Sequence, residues 1–178
     1  MSPVFAGLMW GQYLAKEVTM QEPRWLVEAR KYLGQLEIKG PRHNPLILQF
    51  WKDIKRSGIK DDETPWCAAF VGSMLERVEI KSTRFESAKS YLNWGAELRE
   101  PAFGCVVVFS RDGGGHVGFV VGQRENGDLM VLGGNQSDAI NIRAFQRSRV
   151  SGYRWPVNEP KDTRQLPVMN GSCSESEA

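Results

Sequence analysis

The segment Asp62-Glu63-Thr64-Pro65-Trp66-Cys67-Ala68-Ala69-Phe70-Val71 sets a cysteine at the opening of a helix, and nothing else restricts this chain as much. Thr64 is a favourable N-cap, and Pro65 suits the first helical position, where no N–H donor is needed. Cys67 then falls in the first turn, among backbone N–H groups without intrahelical partners and at the positive end of the helix dipole. Both features favour a thiolate, so the expected thiol has a lowered pKa and is nucleophilic near neutral pH. Cysteine is ordinarily a small packing residue, but packing requires neither a cap nor a helix terminus. Phe70, Val71, Met74, Leu75 and Val78 continue one apolar stripe from Cys67 at helical spacing.

A nucleophilic thiol needs a base, and the chain holds 2 histidines. His116 opens the β-type run His116-Val117-Gly118-Phe119-Val120-Val121-Gly122, after the loop Arg111-Asp112-Gly113-Gly114-Gly115. The run Leu129-Met130-Val131-Leu132 follows the turn dipeptide Asn126-Gly127. A two-residue hairpin at Asn126-Gly127 pairs Glu125 with Asp128 and Gly118 with Asn135, so Asn135 shares the face of His116. An amide there suits a residue that holds the imidazole in one tautomer. Asp138 has the wrong parity in this register. Gly118, on the same face, would let the Cys67 helix approach the sheet closely. The expected order of roles is Cys67, His116, Asn135: nucleophile, base, orienting amide.

Composition fits one enzyme domain. A chain of 178 residues can bury a sizeable core, and a net charge of +2 gives no strong pull toward nucleic acid or membrane. The pI near 8.5 is compatible with an anionic polymer as substrate. Three cysteines without a Cys-x-x-Cys pair suggest neither a disulfide framework nor a zinc site. Cys105, before the run Val106 to Phe109, reads as a core residue, and Cys173 as an inert thiol in a polar tail. No apolar run reaches membrane-spanning length. The first residues lack the basic region of a signal peptide, so synthesis in the cytoplasm without a standard leader is expected.

Residues 1–21 form a lead-in with an apolar cluster of Val4, Phe5, Leu8, Met9 and Trp10. A first helix is expected from Pro23 to Leu33, ended by Gly34, and a second from an Asn44 cap and Pro45, with Ile47, Phe50, Trp51 and Ile54 inward. The Cys67 helix and a short helix near Ser87 to Trp94 follow. Strands are expected near 105–110, 116–122, 129–134, 139–145 and 150–155. Helices followed by an antiparallel meander argue an α+β fold. The catalytic domain would occupy 22–156, and the polar residues 157–178 would form a disordered tail.

Several polar residues flank the thiol. Asp62, Thr64 and Trp66 precede it, and His43 lies in the loop Gly40-Pro41-Arg42-His43-Asn44-Pro45. These four are candidates for substrate or oxyanion contacts, although a solvated loop is the commoner fate of a residue like His43. Glu37 could meet substrate or a cation, with a surface carboxylate the commoner outcome. Asp61, Asp62 and Glu63 lack the spacing of a calcium loop, so no metal or other cofactor is assigned.

The combination Trp66-Cys67-Ala68-Ala69-Phe70-Val71 with Gly115-His116-Val117-Gly118 resembles the papain-like cell-wall hydrolases of the NlpC and CHAP (cysteine, histidine-dependent amidohydrolase/peptidase) superfamily, and more narrowly a phage-associated branch. Further matching stretches are Trp25 to Arg30, Gly40 to Pro45, Ser90 to Gly95, Gly133 to Asp138 and Gly152 to Pro156. Two positions depart from the pattern: Cys105 replaces an aspartate common after the glycine, and Gly133 stands where CHAP domains often carry a glutamate. The resemblance implies a papain-like α+β fold and a monomer. It also implies peptidoglycan as substrate, cut within the stem peptide or at the sugar–peptide amide, on the wall after release or delivery. A phage endolysin released by a holin is the first biological expectation. An antibacterial effector with a type VI secretion apparatus and an immunity protein is the second, and a catalytically silent wall-binding module the third.

Overall fold

The computed structural model describes residues 21–171. The lead-in cluster of Val4 to Trp10 and the tail thiol Cys173 lie outside the described residues. Three α-helices precede a six-stranded sheet: α1 (Arg24–Arg30), α2 (Pro45–Asp53) and α3 (Cys67–Arg77), then β1 (Ala96–Leu98), β2 (Val106–Arg111), β3 (Gly114–Gln123), β4 (Leu129–Gly133), β5 (Asn141–Phe145) and β6 (Val150–Trp155). A 3-10 helix, Ala88–Asn93, leads into the sheet. Every strand pairing is antiparallel, so the fold is α+β as expected.

Local chemistry explains the first elements. Asn44 caps α2 by accepting the Leu46 N–H at 2.9 Å, with Pro45 at the first helical position, and Ile47, Phe50 and Trp51 are buried. In α1, Trp25, Leu26 and Ala29 are buried, and the Trp25 indole donates to the Gly104 carbonyl at 2.8 Å. The expected helix through Leu33 stops at Arg30 and closes in turns. Gly34, in the left-handed region at φ 89°, then sends its N–H to Ile140 O at 2.9 Å.

α3 is buried on every side from Cys67 to Leu75, not along one stripe. It packs against α1 and α2 on one side and against β3 and β4 on the other. Phe50 contacts both Trp66 and Phe70 edgewise or tilted, which ties α2 to the start of α3.

The sheet order is β1-β6-β2-β3-β4-β5, so β2 to β5 form the expected meander. β6 then returns to lie between β2 and β1, a three-residue strand too short to leave a pattern in the sequence. The β3–β4 turn also differs from the expected two-residue hairpin. Arg124 N–H bonds Asp128 O at 2.8 Å around Glu125, Asn126 and Gly127, the last at φ 90°. Gln123 pairs with Leu129, and an irregularity between Val120 and Gly122 brings Phe119 opposite Leu132. Gly118 therefore lies beside Gly133, and a Cβ on it would meet Val131 and Leu132 rather than α3.

The close approach of α3 to the sheet occurs at Gly134 instead. A Cβ there would lie 2.6 Å from Trp66 Cζ3 and 2.7 Å from Phe70 Cβ. At the other end of the chain, residues 157–171 are placed against the body, in contrast to the disordered tail expected from 157. Val168 bridges Gln123 in parallel, and a Cβ on Gly122 would touch Met169 Sδ at 2.6 Å. Polar composition concealed this strap because backbone hydrogen bonds to Gln123, the Leu166 and Met169 side chains and the Arg164 guanidinium over Phe103 hold it. Gly134→Ala should cost about 1–3 kcal/mol by overpacking. Gly58→Ala, whose Cβ would meet nothing within 4 Å, should stay within about 0.5 kcal/mol. Urea unfolding of both variants measures the difference.

Candidate active site

Cys67 is the first residue of α3, but the cap is not the one expected. Trp66 occupies the N-cap (φ −107°, ψ 15°) with no side-chain capping bond, and the first helical bond runs from Phe70 N–H to Trp66 O at 2.9 Å. Thr64 instead donates its N–H to Asp61 Oδ1 at 2.6 Å, and its hydroxyl bonds the same carboxylate. An Asp61 turn thus claims Thr64, and the helix opens three residues later. The aspartate competes for the amide by the local side-chain bonding that makes Asp a turn former.

The thiol lies between α3 and β3. Backbone N–H groups of Val117, Ala68 and Cys67 itself hydrogen-bond it, and the Arg111 guanidinium adds a favourable field. Burial nevertheless dominates: Cys67 is 5% exposed, and its thiol is pushed above its ordinary value. The expectation of a lowered pKa is overturned because the helix terminus is dry. Its N–H dipoles favour a thiolate by less than loss of water opposes one. Cys105 is a core thiol on which backbone N–H groups of Ala102 and Cys105 and the Lys161 charge are likewise outweighed, and burial pushes it to about 12.

Val117 N–H on the thiol brings Cys67 beside the strand position of His116. His116 is 1% exposed, and its ring stacks on Phe145 with centroids 5.1 Å apart and an interplanar angle of 6°. Phe109, its cross-strand partner, lies 6.4 Å away and stacks on Phe145 in turn, so two aromatic rings fix the imidazole plane. The Asp112-Gly113 turn, with Gly113 at φ 76°, closes the β2–β3 hairpin before it.

β4 ends at Gly133, and the chain beyond it leaves strand geometry. Asn135 is buried with φ 56°, a left-handed conformation that asparagine tolerates better than most residues. Strand alternation therefore fails there, and Gln136 is the residue whose Oε1 lies 3.0 Å from His116 Nε2. The sequence register did not reveal Gln136, because period-two reasoning stops at a left-handed residue. Asp138 faces elsewhere: its carbonyl accepts Glu37 N–H at 2.8 Å, and its carboxylate lies 4.0 Å from Lys39 Nζ.

The remaining candidates tie the segment before α3 to the 37–44 loop. Asp62 is fully buried; Oδ1 meets His43 Nδ1 at 2.8 Å, and Oδ2 accepts Asn44 N–H at 2.8 Å and Ile38 N–H at 3.0 Å. Burial opposes its charge, but these donors outweigh burial and hold the carboxyl below its ordinary value. Asp62 and His43 thus fasten the 38–44 loop to the segment before α3, and both carboxylate oxygens are committed to that bonding. Trp66 is buried, with its indole donating to Glu37 Oε2 at 3.3 Å. Burial, with repulsion from Asp138, Asp62 and Glu63, raises the Glu37 carboxyl against that bond. Among the described residues, no group of three or more His, Cys, Asp or Glu side chains could hold a metal ion.

Residues 59–135 match the family model of the CHAP domain. The match spans Cys67, His116 and Asn135 and supports a cell-wall hydrolase of the CHAP/NlpC superfamily, with peptidoglycan as the suggested substrate. No curated protein gives a significant match to the chain. Among the described residues, no helix is long and apolar enough to cross a membrane.

A raised thiol pKa has a direct consequence. Alkylation mapped to Cys67 by peptide mass spectrometry should be slow at pH 7 and accelerate with pH beyond the ordinary thiol value of about 8.5. Arg111→Gln should move that rise to still higher pH, since the cation favours the thiolate. A rate already on its plateau at pH 7 would contradict burial as the controlling term.

Proposed function

We propose that this chain hydrolyses a peptide or amide bond of peptidoglycan, with Cys67 as nucleophile and His116 as base. The observation that carries the reading is the placement of the thiol in the first turn of α3 against Val117, next along β3 from His116. The CHAP match over 59–135 supplies the substrate class.

Each step follows from these groups. The Sγ proton passes to Nδ1 of His116 as sulfur attacks the carbonyl carbon, and the oxygen becomes an oxyanion. The backbone N–H of Cys67, at the N-terminus of α3, is a donor for that charge. Collapse expels the amine, which takes the proton from His116, and leaves a thioester on Cys67. Water then attacks the thioester, giving its proton to His116. Sulfur leaves and recovers that proton from His116, and the product acid gives its own proton to solvent and departs as a carboxylate. Because the buried thiol rests protonated, transfer to His116 accompanies attack and no stored thiolate is required.

The phage-associated likeness of Trp66 to Val71 and Gly115 to Gly118 favours an endolysin acting on the wall after holin-dependent release. A holin gene beside the coding sequence supports that role; secretion and immunity genes there would instead make it a delivered effector. Cys67→Ala and His116→Ala should each abolish release of soluble fragments from purified peptidoglycan while the circular dichroism spectrum is retained. Cys105→Ala should keep activity. Mass spectrometry of the fragments identifies the bond. Undiminished release by Cys67→Ala would refute the nucleophile, and binding without release by the unmodified protein would make it a wall-binding module.

A further inference from the structure

Gly133 and Gln136 compete for one volume beside the imidazole. A Cβ on Gly133 would overlap Gln136 Oε1 and lie 2.9 Å from its Cδ and 3.3 Å from His116 Nε2. The Gln136 side chain therefore occupies the space that any larger residue at 133 would require. The left-handed turn at Asn135 delivers it there.

The orientation of the Gln136 amide is fixed by its other end. Its Nε2 donates to Asn141 Oδ1 at 2.8 Å, to Asn141 O at 3.0 Å and, at the limit of bonding, to Val131 O at 3.3 Å. Main-chain carbonyls only accept, so the amide cannot flip without facing oxygen to oxygen. Asn141 is itself oriented, since its Nδ2 donates to Gln136 O at 2.8 Å and leaves Oδ1 as acceptor. Gln136 N–H is held by Ala139 O at 3.0 Å, and the residue is fully buried. Oε1 is thereby presented to His116 Nε2 as an acceptor, which requires a hydrogen on Nε2. In the neutral ring, Nδ1 then carries the lone pair.

Resting on the hydrolase reading above, we propose that Gln136 is the positioning residue for His116, a neutral amide that fills the volume left by Gly133 and holds the ring in its Nε2–H tautomer. Asn135 contributes the backbone turn that makes this reach possible. A neutral partner orients the base without adding negative charge beside it. Burial likewise holds the Cys67 thiol above its ordinary value.

The direct test is a nitrogen-15 imidazole correlation spectrum of the full chain at neutral pH, assigned with His116→Gln. His116 should appear as the Nε2–H tautomer, and Gln136→Leu should abolish that preference. The same substitution should lower kcat about ten- to a hundredfold with KM little changed, the loss seen when a partner that orients a functional histidine is removed. A swap supplies a rescue. Gly133→Glu alone should be inactive through the clash with Gln136. Combined with Gln136→Ala it should regain at least tenfold over Gln136→Ala alone. The acid limb of its pH profile should move upward, since a carboxylate beside the ring favours imidazolium and the base must be unprotonated.

An Nδ1–H tautomer in the unmodified protein overturns the proposal whatever the variants do. So does a folded Gln136→Leu that keeps the Nε2–H form and an unchanged pH profile, and a tautomer lost only on replacing Asn135 would return the role to that residue. A protein that shows the Gln136-dependent tautomer but releases no fragment keeps this inference and defeats the hydrolase reading. Full hydrolysis with an Nδ1–H ring does the reverse.

Discussion

The close approach of the first turn of α3 to the β3–β4 end of the sheet governs the rest of the molecule. It is possible because Gly134 has no side chain where Trp66 and Phe70 arrive. That single contact buries the thiol, aligns it with the Val117 N–H, and places it beside the strand that carries His116. α2 reinforces the approach through Phe50, which touches both aromatic residues at the start of α3. A helix held this tightly cannot keep a hydrated terminus, and burial raises the Cys67 thiol above its ordinary value.

Carboxyl groups around the same terminus show how donors decide against burial. Asp62 is the more buried of two neighbouring acids, yet three donors keep it ionised. Glu37 is less buried but has one long indole bond and three acidic neighbours, and its carboxyl shifts the other way. Asp62 therefore serves as a fixed structural anion. It secures the loop that carries His43 and Asn44, and through Asn44 the cap of α2. The Asp62 charge is committed to the Asn44 and Ile38 amides and to the His43 ring.

Much of this was readable in the residues. The Asn44-Pro45 start of α2, the helix opening near Cys67 and the strands through 106–155 follow from caps and apolar periodicity. The errors cluster where a local rule met a competing local interaction. Asp61 took the amide of Thr64 and displaced the cap, a contest that residue preferences alone do not resolve. The three-residue turn and the irregularity near Val121 each shifted the β3–β4 register by one, so the expected facing partner of Gly118 moved from Asn135 to Gly133. The left-handed Asn135 then ended alternation and brought Gln136 to the ring. The thiol pKa rises where a fall is expected, because dipole and donors are visible in sequence whereas loss of water is a tertiary property.

In the proposed hydrolysis Cys67 becomes covalently acylated while His116 moves the protons. Acid-quenched intact-mass spectrometry during turnover of soluble peptidoglycan fragments tests it most directly. A transient adduct equal in mass to the acyl half of the cleaved fragment is expected. The adduct should be localised to Cys67, be discharged by hydroxylamine and be absent from Cys67→Ala. Products accumulating with no adduct in Cys67→Ala, or an adduct localised to another residue, would contradict it.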